Sequence, residues 1–298
     1  MPVVADQFVV EFQAIVNPGA VHHMSIHACD APHSSEVVWD CVNPSSVCGG
    51  SGKRQALFEW GRNAPTWTLP DYAGIPTGNR PRYLVLQVHT PEGFQPASIE
   101  GQYTFSGIEV TMRDSQPAYE VGMAVYGNTG YIPPLVEGYT TDSACVWNHN
   151  ITAPLIAYSI HTHELGKAVT AWIFRDERWI ELARADPSYP EIIMDISHKG
   201  MHLIPGDIVA VRCTFNNLQE RKVYFSSEHG GEMCNVYLHY GVPPDASADK
   251  RMVLCSASAQ EFRLEDHFNE IPNKASDPTG DTDQAYYTKL YNLTDTSY

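Results

Sequence analysis

The chain is short of positive charge and of long apolar runs. Lysine and arginine number 19 against 35 aspartates and glutamates, giving a formal net charge of −16. A surface of that sign repels phosphate backbones and anionic bilayers, which argues against nucleic acid or a membrane surface as partner. No stretch approaches the ~20 consecutive apolar residues that cross a bilayer as a helix. The start, Met1-Pro-Val-Val-Ala-Asp-Gln7, carries neither the basic nor the apolar region of a secretion signal. There is no Cys-x-x-Cys pair of the zinc or redox kind, no internal repeat, and little of the 3.6-residue period that marks helices.

What remains is β pattern. Short runs rich in Val, Ile, Tyr and Thr are broken by Gly, Pro, Asn and Asp clusters, and the chain holds 21 Gly and 21 Pro. Strands are predicted at Gln7 to Val16, Tyr83 to His89, Ile108 to Met112, Leu155 to His163, Ile208 to Phe215 and Cys234 to Tyr240. At 298 residues the chain can build two cores of ~150 residues each. The fold class expected is all-β, two tandem antiparallel sandwiches. A polar stretch, Arg113-Asp-Ser-Gln-Pro-Ala118, divides them near residue 116. The expected domains are therefore 1–115 and 116–267, followed by a polar, acidic tail over 268–298 that lies outside the core.

Seven scattered cysteines fit either buried thiols or disulfides. Two sequons, Asn150-Ile-Thr and Asn292-Leu-Thr, point to a secreted glycoprotein. The odd count leaves one cysteine without a partner in the chain. An incomplete N-terminus would account for both that orphan and the missing signal.

The chemistry-bearing residues are histidines and one methionine. In a strand, residues two apart share a face, so His161 and His163 project together with Ser159. Met233, Asn235 and Tyr237 share a face in the same way. If the two strands are neighbours, two imidazoles and a thioether converge. That set is poor for zinc and good for copper, because soft sulfur favours Cu(I). On these residues alone, two core histidines and a core methionine are the plainer reading, because His-x-His is weak evidence and a methionine on a strand is far more often packing. A second set lies in the first half: His89 ends an alternating strand, and His22-His23 are adjacent residues that point to opposite faces unless the chain bends. The other histidines, His27 and His239 among them, are assigned to surface or structural positions.

Six stretches, in order, resemble the copper type II, ascorbate-dependent monooxygenase family, and within it most nearly the peptidylglycine α-hydroxylating enzymes. They are Val21-His-His-Met24, Trp60-Gly-Arg-Asn-Ala-Pro65, Tyr83-Leu-Val-Leu-Gln-Val-His89, His161-Thr-His-Glu-Leu-Gly-Lys167, Pro205-Gly-Asp-Ile208 and Glu232-Met-Cys-Asn-Val-Tyr237. The resemblance implies two jelly-roll-like domains, a copper site in each and a cleft between them. It implies that His22, His23 and His89 hold an electron-donating copper, and that His161, His163 and Met233 hold the copper where oxygen reacts. Asn235 and Tyr237 would contact the carboxy end of a peptide. The resemblance also implies disulfides Cys29–Cys48, Cys145–Cys255 and Cys213–Cys234, leaving Cys41 unpaired.

The implied activity is hydroxylation of the α-carbon of a C-terminal glycine, the first step of peptide amidation, with ascorbate as reductant and dioxygen as co-substrate. A separate lyase would complete the amidation, in the secretory pathway or outside the cell. One position departs from the peptide enzymes: where they carry an arginine that clamps the substrate carboxylate, this chain has Ser159. The same chemistry on a small amine, as in the dopamine and tyramine hydroxylases, is the alternative; a copper-binding domain without catalysis is a third reading.

Overall fold

A computed structural model of the chain describes residues 7–16, 21, 23–41, 46–50, 55–61, 64–77, 83–90, 106–189, 191–196, 200–226, 230–246, 248–272 and 276–277. His22 and Asn292 lie outside the described residues. The chain divides into two compact units, Met1–Val121 and Gly122–Tyr298. Among the described residues there is no α-helix, only 3₁₀ turns at Ala248–Arg251 and Leu264–Asp266. The protein is all-β.

The first unit holds β1 (Phe8–Ile15), β2 (His23–Cys29), β3 (Gln55–Trp60), β4 (Trp67–Thr68), β5 (Ala73–Pro76), β6 (Tyr83–His89) and β7 (Gly107–Arg113). β1 pairs antiparallel with β4, β5 and β7, while β2 sits between β3 and β6 in a three-stranded antiparallel sheet. Rings from both sheets meet in a stack. Phe12 of β1 lies 5.1 Å from Phe58 of β3 and 5.8 Å from Trp67 of β4, centroid to centroid. All three are buried, so the aromatic stack is the core that joins the two sheets face to face.

The second unit opens within β8 (Tyr119–Thr129) and continues through β9 (Tyr131–Ile132), β10 (Val136–Val146), β11 (Ala153–His161), β12 (Gly166–Arg175), β13 (Arg178–Ala185), β14 (Met194–Asp195), β15 (His202–Leu203), β16 (Ile208–Asn217), β17 (Val223–Tyr224), β18 (Asn235–Val242) and β19 (Met252–Ser258). One sheet runs β10-β16-β12-β13. In the other, β11 pairs antiparallel with β18 and β14, and β19 lies parallel to β8. Two disulfides tie the layers together: Cys145 of β10 to Cys255 of β19, and Cys213 of β16 to Cys234 just before β18. Each is of a kind typically worth ~2–4 kcal/mol. In the first unit Cys29 of β2 bonds Cys48, and Cys41 is the free cysteine.

The stretch from Phe268, expected outside the core, is exposed at Asn269, Glu270 and Ser276 and makes contacts at Phe268 and Asp277. Phe268 lies 4.9 Å from both Phe174 and Trp179, and Arg184 donates to the Asp277 carbonyl. Ahead of it, the buried Asp142 accepts two bonds from Arg212, at 2.7 and 2.8 Å, and one from the Leu264 N–H. A buried charge pair is tolerable only when its lone pairs are met in this way.

Candidate metal centres

In the second unit the centre forms where β11 ends and β18 begins. Register sets Ser159 opposite Tyr237 and His161 opposite Asn235. The segment leading into β18 keeps strand alternation: Met233, Asn235 and Tyr237 are half-buried, and Glu232, Cys234, Val236 and Leu238 are buried. β11 stops at His161, so His163 lies in the turn to β12 rather than on the strand expected to carry it. Period-two alternation therefore does not place His163. Its ring stands 5.2 Å from that of His161 and nearly perpendicular to it, at 84°.

Hydrogen bonds orient both rings. Nδ1 of His161 lies 2.9 Å from Glu191 Oε2, and Nδ1 of His163 lies 2.9 Å from the Gly231 carbonyl oxygen. A carbonyl or ionised carboxylate can only accept, so each Nδ1 carries the hydrogen and each Nε2 of the neutral ring carries the lone pair. Metal-binding imidazoles are held by just such partners. Gly231 has a steric reason to be glycine: a Cβ there would sit 2.2 Å from Ser226 Oγ and 3.0 Å from the carbonyl oxygens of Ser226 and Tyr224.

Met233 is adjacent through Asn235. The Asn235 amide donates to Met233 Sδ at 3.4 Å and to Tyr237 Oη at 3.2 Å. Its Oδ1 faces β8, where a Cβ on Gly127 would lie only 3.2 Å away. Tyr237 accepts from Asn235, so its own O–H is oriented to donate elsewhere. Ser159 is 7% exposed, and His239, next but one along β18 from Tyr237, is buried; burial holds its imidazole down at about 4, neutral at physiological pH. Two imidazoles and one thioether make a soft, mixed donor set. Among the described residues no group of three His, Cys, Asp or Glu side chains gathers, which is the arrangement zinc would favour.

In the first unit His23 and His89 are direct cross-strand partners on β2 and β6, their rings stacked 3.9 Å apart at 19°. The next two rungs inward on that face carry Ser25 opposite Gln87 and His27 opposite Val85. His27, assigned from sequence to a surface or structural place, is buried and structural: its Nε2 lies 2.8 Å from Ser25 Oγ and 3.3 Å from Gln87 Oε1. Gln87 in turn donates to the Cys41 carbonyl at 3.4 Å, which fixes the segment that Cys29–Cys48 closes over the sheet.

These two histidine centres fall in two stretches that match one family. Residues 118–268 match the C-terminal domain, and residues 1–92 the N-terminal domain, of copper type II ascorbate-dependent monooxygenases. The chain belongs to the copper type II ascorbate-dependent monooxygenase family. Among individual relatives, peptidyl-glycine alpha-amidating monooxygenase A of Xenopus laevis is 30% identical over 277 residues, which is 92% of this chain and 28% of that protein. Peptidylglycine alpha-amidating monooxygenase of Rattus norvegicus is 29% identical over 93% of this chain and 28% of its own length. Dopamine beta-hydroxylase of Homo sapiens is 27% identical over 88% of this chain and 45% of its own length. The chain thus spans less than a third of the amidating relatives and under half of the hydroxylase. As the family's description says, its members use copper and ascorbate.

Three residues that organise the second centre had no assigned role in the sequence: Glu191, Gly231 and Glu232. For Glu232 and Gly231 a signal existed, a paired glycine and an acid directly before Met233. Glu191 had none, lying 30 residues from the histidine it orients.

Proposed function

We propose that the chain is a copper- and ascorbate-dependent monooxygenase, with His161, His163 and Met233 holding one copper and His22, His23 and His89 the other. The observation that carries this reading is the second centre: two imidazoles with Nδ1 engaged, and a methionine whose main-chain N–H shares the Glu232 carboxylate oxygen with that of His163. When bound, copper supplies the one-electron steps that dioxygen needs to react with a C–H bond, and ascorbate supplies the two electrons that turn the second oxygen atom into water. The chain's own residues orient and bind. Glu191 and Gly231 keep the imidazole lone pairs on Nε2. Asn235 donates to the Tyr237 hydroxyl oxygen and so orients the phenol, which with Asn235 would contact the carboxy end of the substrate.

Family membership and the amidating relatives favour a peptide ending in glycine as substrate, hydroxylated at the α-carbon and bound at its carboxy end by Asn235 and Tyr237. A separate lyase would then release the amide, and the three disulfides suit the oxidising secretory pathway. Ser159 favours a second reading. It sits on the rung opposite Tyr237 and offers one neutral hydroxyl where an arginine would give a bidentate, charge-assisted clamp. A small amine without a carboxylate needs no such clamp, and dopamine beta-hydroxylase is among the relatives.

The test is ascorbate-dependent oxygen consumption by copper-loaded protein, with a glycine-extended peptide and tyramine offered in parallel. Peptide turnover is expected, with KM raised roughly 3- to 10-fold in Tyr237→Phe, the value of one hydrogen bond. Turnover of tyramine alone would replace the peptide reading with the amine one. Oxygen consumption with neither would remove both substrates.

A further inference from the structure

Glu232 is completely buried at 0% exposure, and no lysine or arginine pairs with it among the described residues. Its carboxylate is satisfied instead by main-chain donors. Oε1 accepts from the N–H of His163 and, at 2.8 Å, from the N–H of Met233, while Oε2 accepts from the N–H of Leu165 at 2.9 Å. One carboxylate thereby links the turn after β11 to the segment before β18, and each of those segments carries one of the proposed ligands of the second copper.

The residue that offers this carboxylate is itself fixed. The Glu232 N–H donates to the Tyr224 carbonyl and its carbonyl accepts from the Ser226 N–H, both at 2.9 Å. On one side its neighbour Gly231 holds the His163 ring. On the other, beyond Met233, Cys234 is bonded to Cys213 of β16. Four consecutive residues, Gly231 to Cys234, thus bind the histidine ring, the histidine backbone, the proposed sulfur donor and the opposite sheet.

We propose that Glu232 is the positioning residue of the second centre: its carboxylate sets His163 and Met233 close enough to act as one ligand set. The proposal rests on the copper ligation argued above. It implies a specific sensitivity to replacement. Glutamine has the same shape, but one of its two terminal atoms is a donor facing another donor, so at least one of the three main-chain N–H groups loses its acceptor. Aspartate keeps both acceptors on a stem one methylene shorter.

The experiment compares wild type, Glu232→Gln and Glu232→Asp, each checked for folding by thermal melting. Residue-resolved amide exchange is measured without metal. Copper titration and X-ray absorption of the reduced, copper-loaded protein follow. In Glu232→Gln, exchange at residues 163, 165 and 233 should quicken, the second copper should bind ~10- to 100-fold more weakly, and the sulfur scatterer should fade. Binding of the first copper should be unchanged, and Glu232→Asp should recover part of the loss. Faster exchange with copper affinity and sulfur signal intact would overturn the proposal, leaving Glu232 a purely structural residue. If Glu232→Gln does not fold, the same readouts on Glu232→Asp decide, unchanged sulfur ligation again counting against it. Wild-type protein that takes up fewer than two coppers per chain would overturn the ligand assignment itself, and the positioning role with it.

Discussion

The two histidine centres are built by opposite means. In the first unit, His23 and His89 face each other across a continuous antiparallel ladder, so strand register alone brings their rings to 3.9 Å. In the second, only His161 is on a strand; His163 and Met233 lie in flanking segments held by hydrogen bonds that Gly231 and Glu232 accept and Asn235 donates. A ladder fixes geometry by repetition, each rung supporting the next. A hydrogen-bonded loop does so through a few groups, any one of which can be removed. The lesson is that the centre with the more unusual proposed donor set is also the one whose assembly rests on single side chains.

The contrast is open to attack. The largest effect is expected from Met233→Leu, which keeps volume but removes the sulfur. Activity should fall by more than ~100-fold, beyond the loss seen for partners outside the ligand set, while one copper remains bound to the His23/His89 side. Loss of both coppers in that variant would mean that the centres do not assemble separately. A smaller effect is expected from Gly231→Ala. The added methyl meets Ser226 Oγ and two carbonyls at 2.2 to 3.0 Å, so the loop must shift, at a cost of ~1–3 kcal/mol. Chemical unfolding should register that loss, and the His163 ring should reorient in the copper spectrum of the second centre alone. The smallest effect is expected from Glu191→Gln, whose Oε1 can still accept from His161 Nδ1. Copper affinity at the second centre should drop by no more than ~10-fold, and a larger drop would show that the negative charge, not the hydrogen bond, is what His161 needs.

The same contrast explains what could be read from the residues. One strand of the first pair was legible: Tyr83 to His89 alternates cleanly, and β6 spans those same residues, whereas its partner β2 was not among the strands expected. Which face turns inward was not legible: the more apolar face exposes Leu86 and Val88 and buries only Leu84, while Val85 and Gln87 are buried. The all-β class followed from the same punctuation by Gly and Pro. In the second centre the pattern misled in detail. Nothing in Ser159-Ile-His-Thr-His163 marks where pairing with β18 stops, since the last ladder pair, His161 with Asn235, is set by the partner strand. The contribution of Glu191 was invisible for a related reason, because a turn and two strands separate it in sequence from His161. His27 was underrated because its neighbours Ser25 and Gln87 become partners only once β2 and β6 are aligned.

The bond between Cys213 and Cys234 has a bearing on how the protein must be made. It pins the residue immediately after Met233 to the opposite layer, adding a covalent tie to the segment that Glu232 and Asn235 hold by hydrogen bonds. Material produced where thiols stay reduced would keep its ladder-borne imidazole pair and hold the Met233 segment by hydrogen bonds alone. Oxidation of this pair is thereby expected to tighten copper binding at the proposed second centre, which copper titration of reduced and oxidised protein would register.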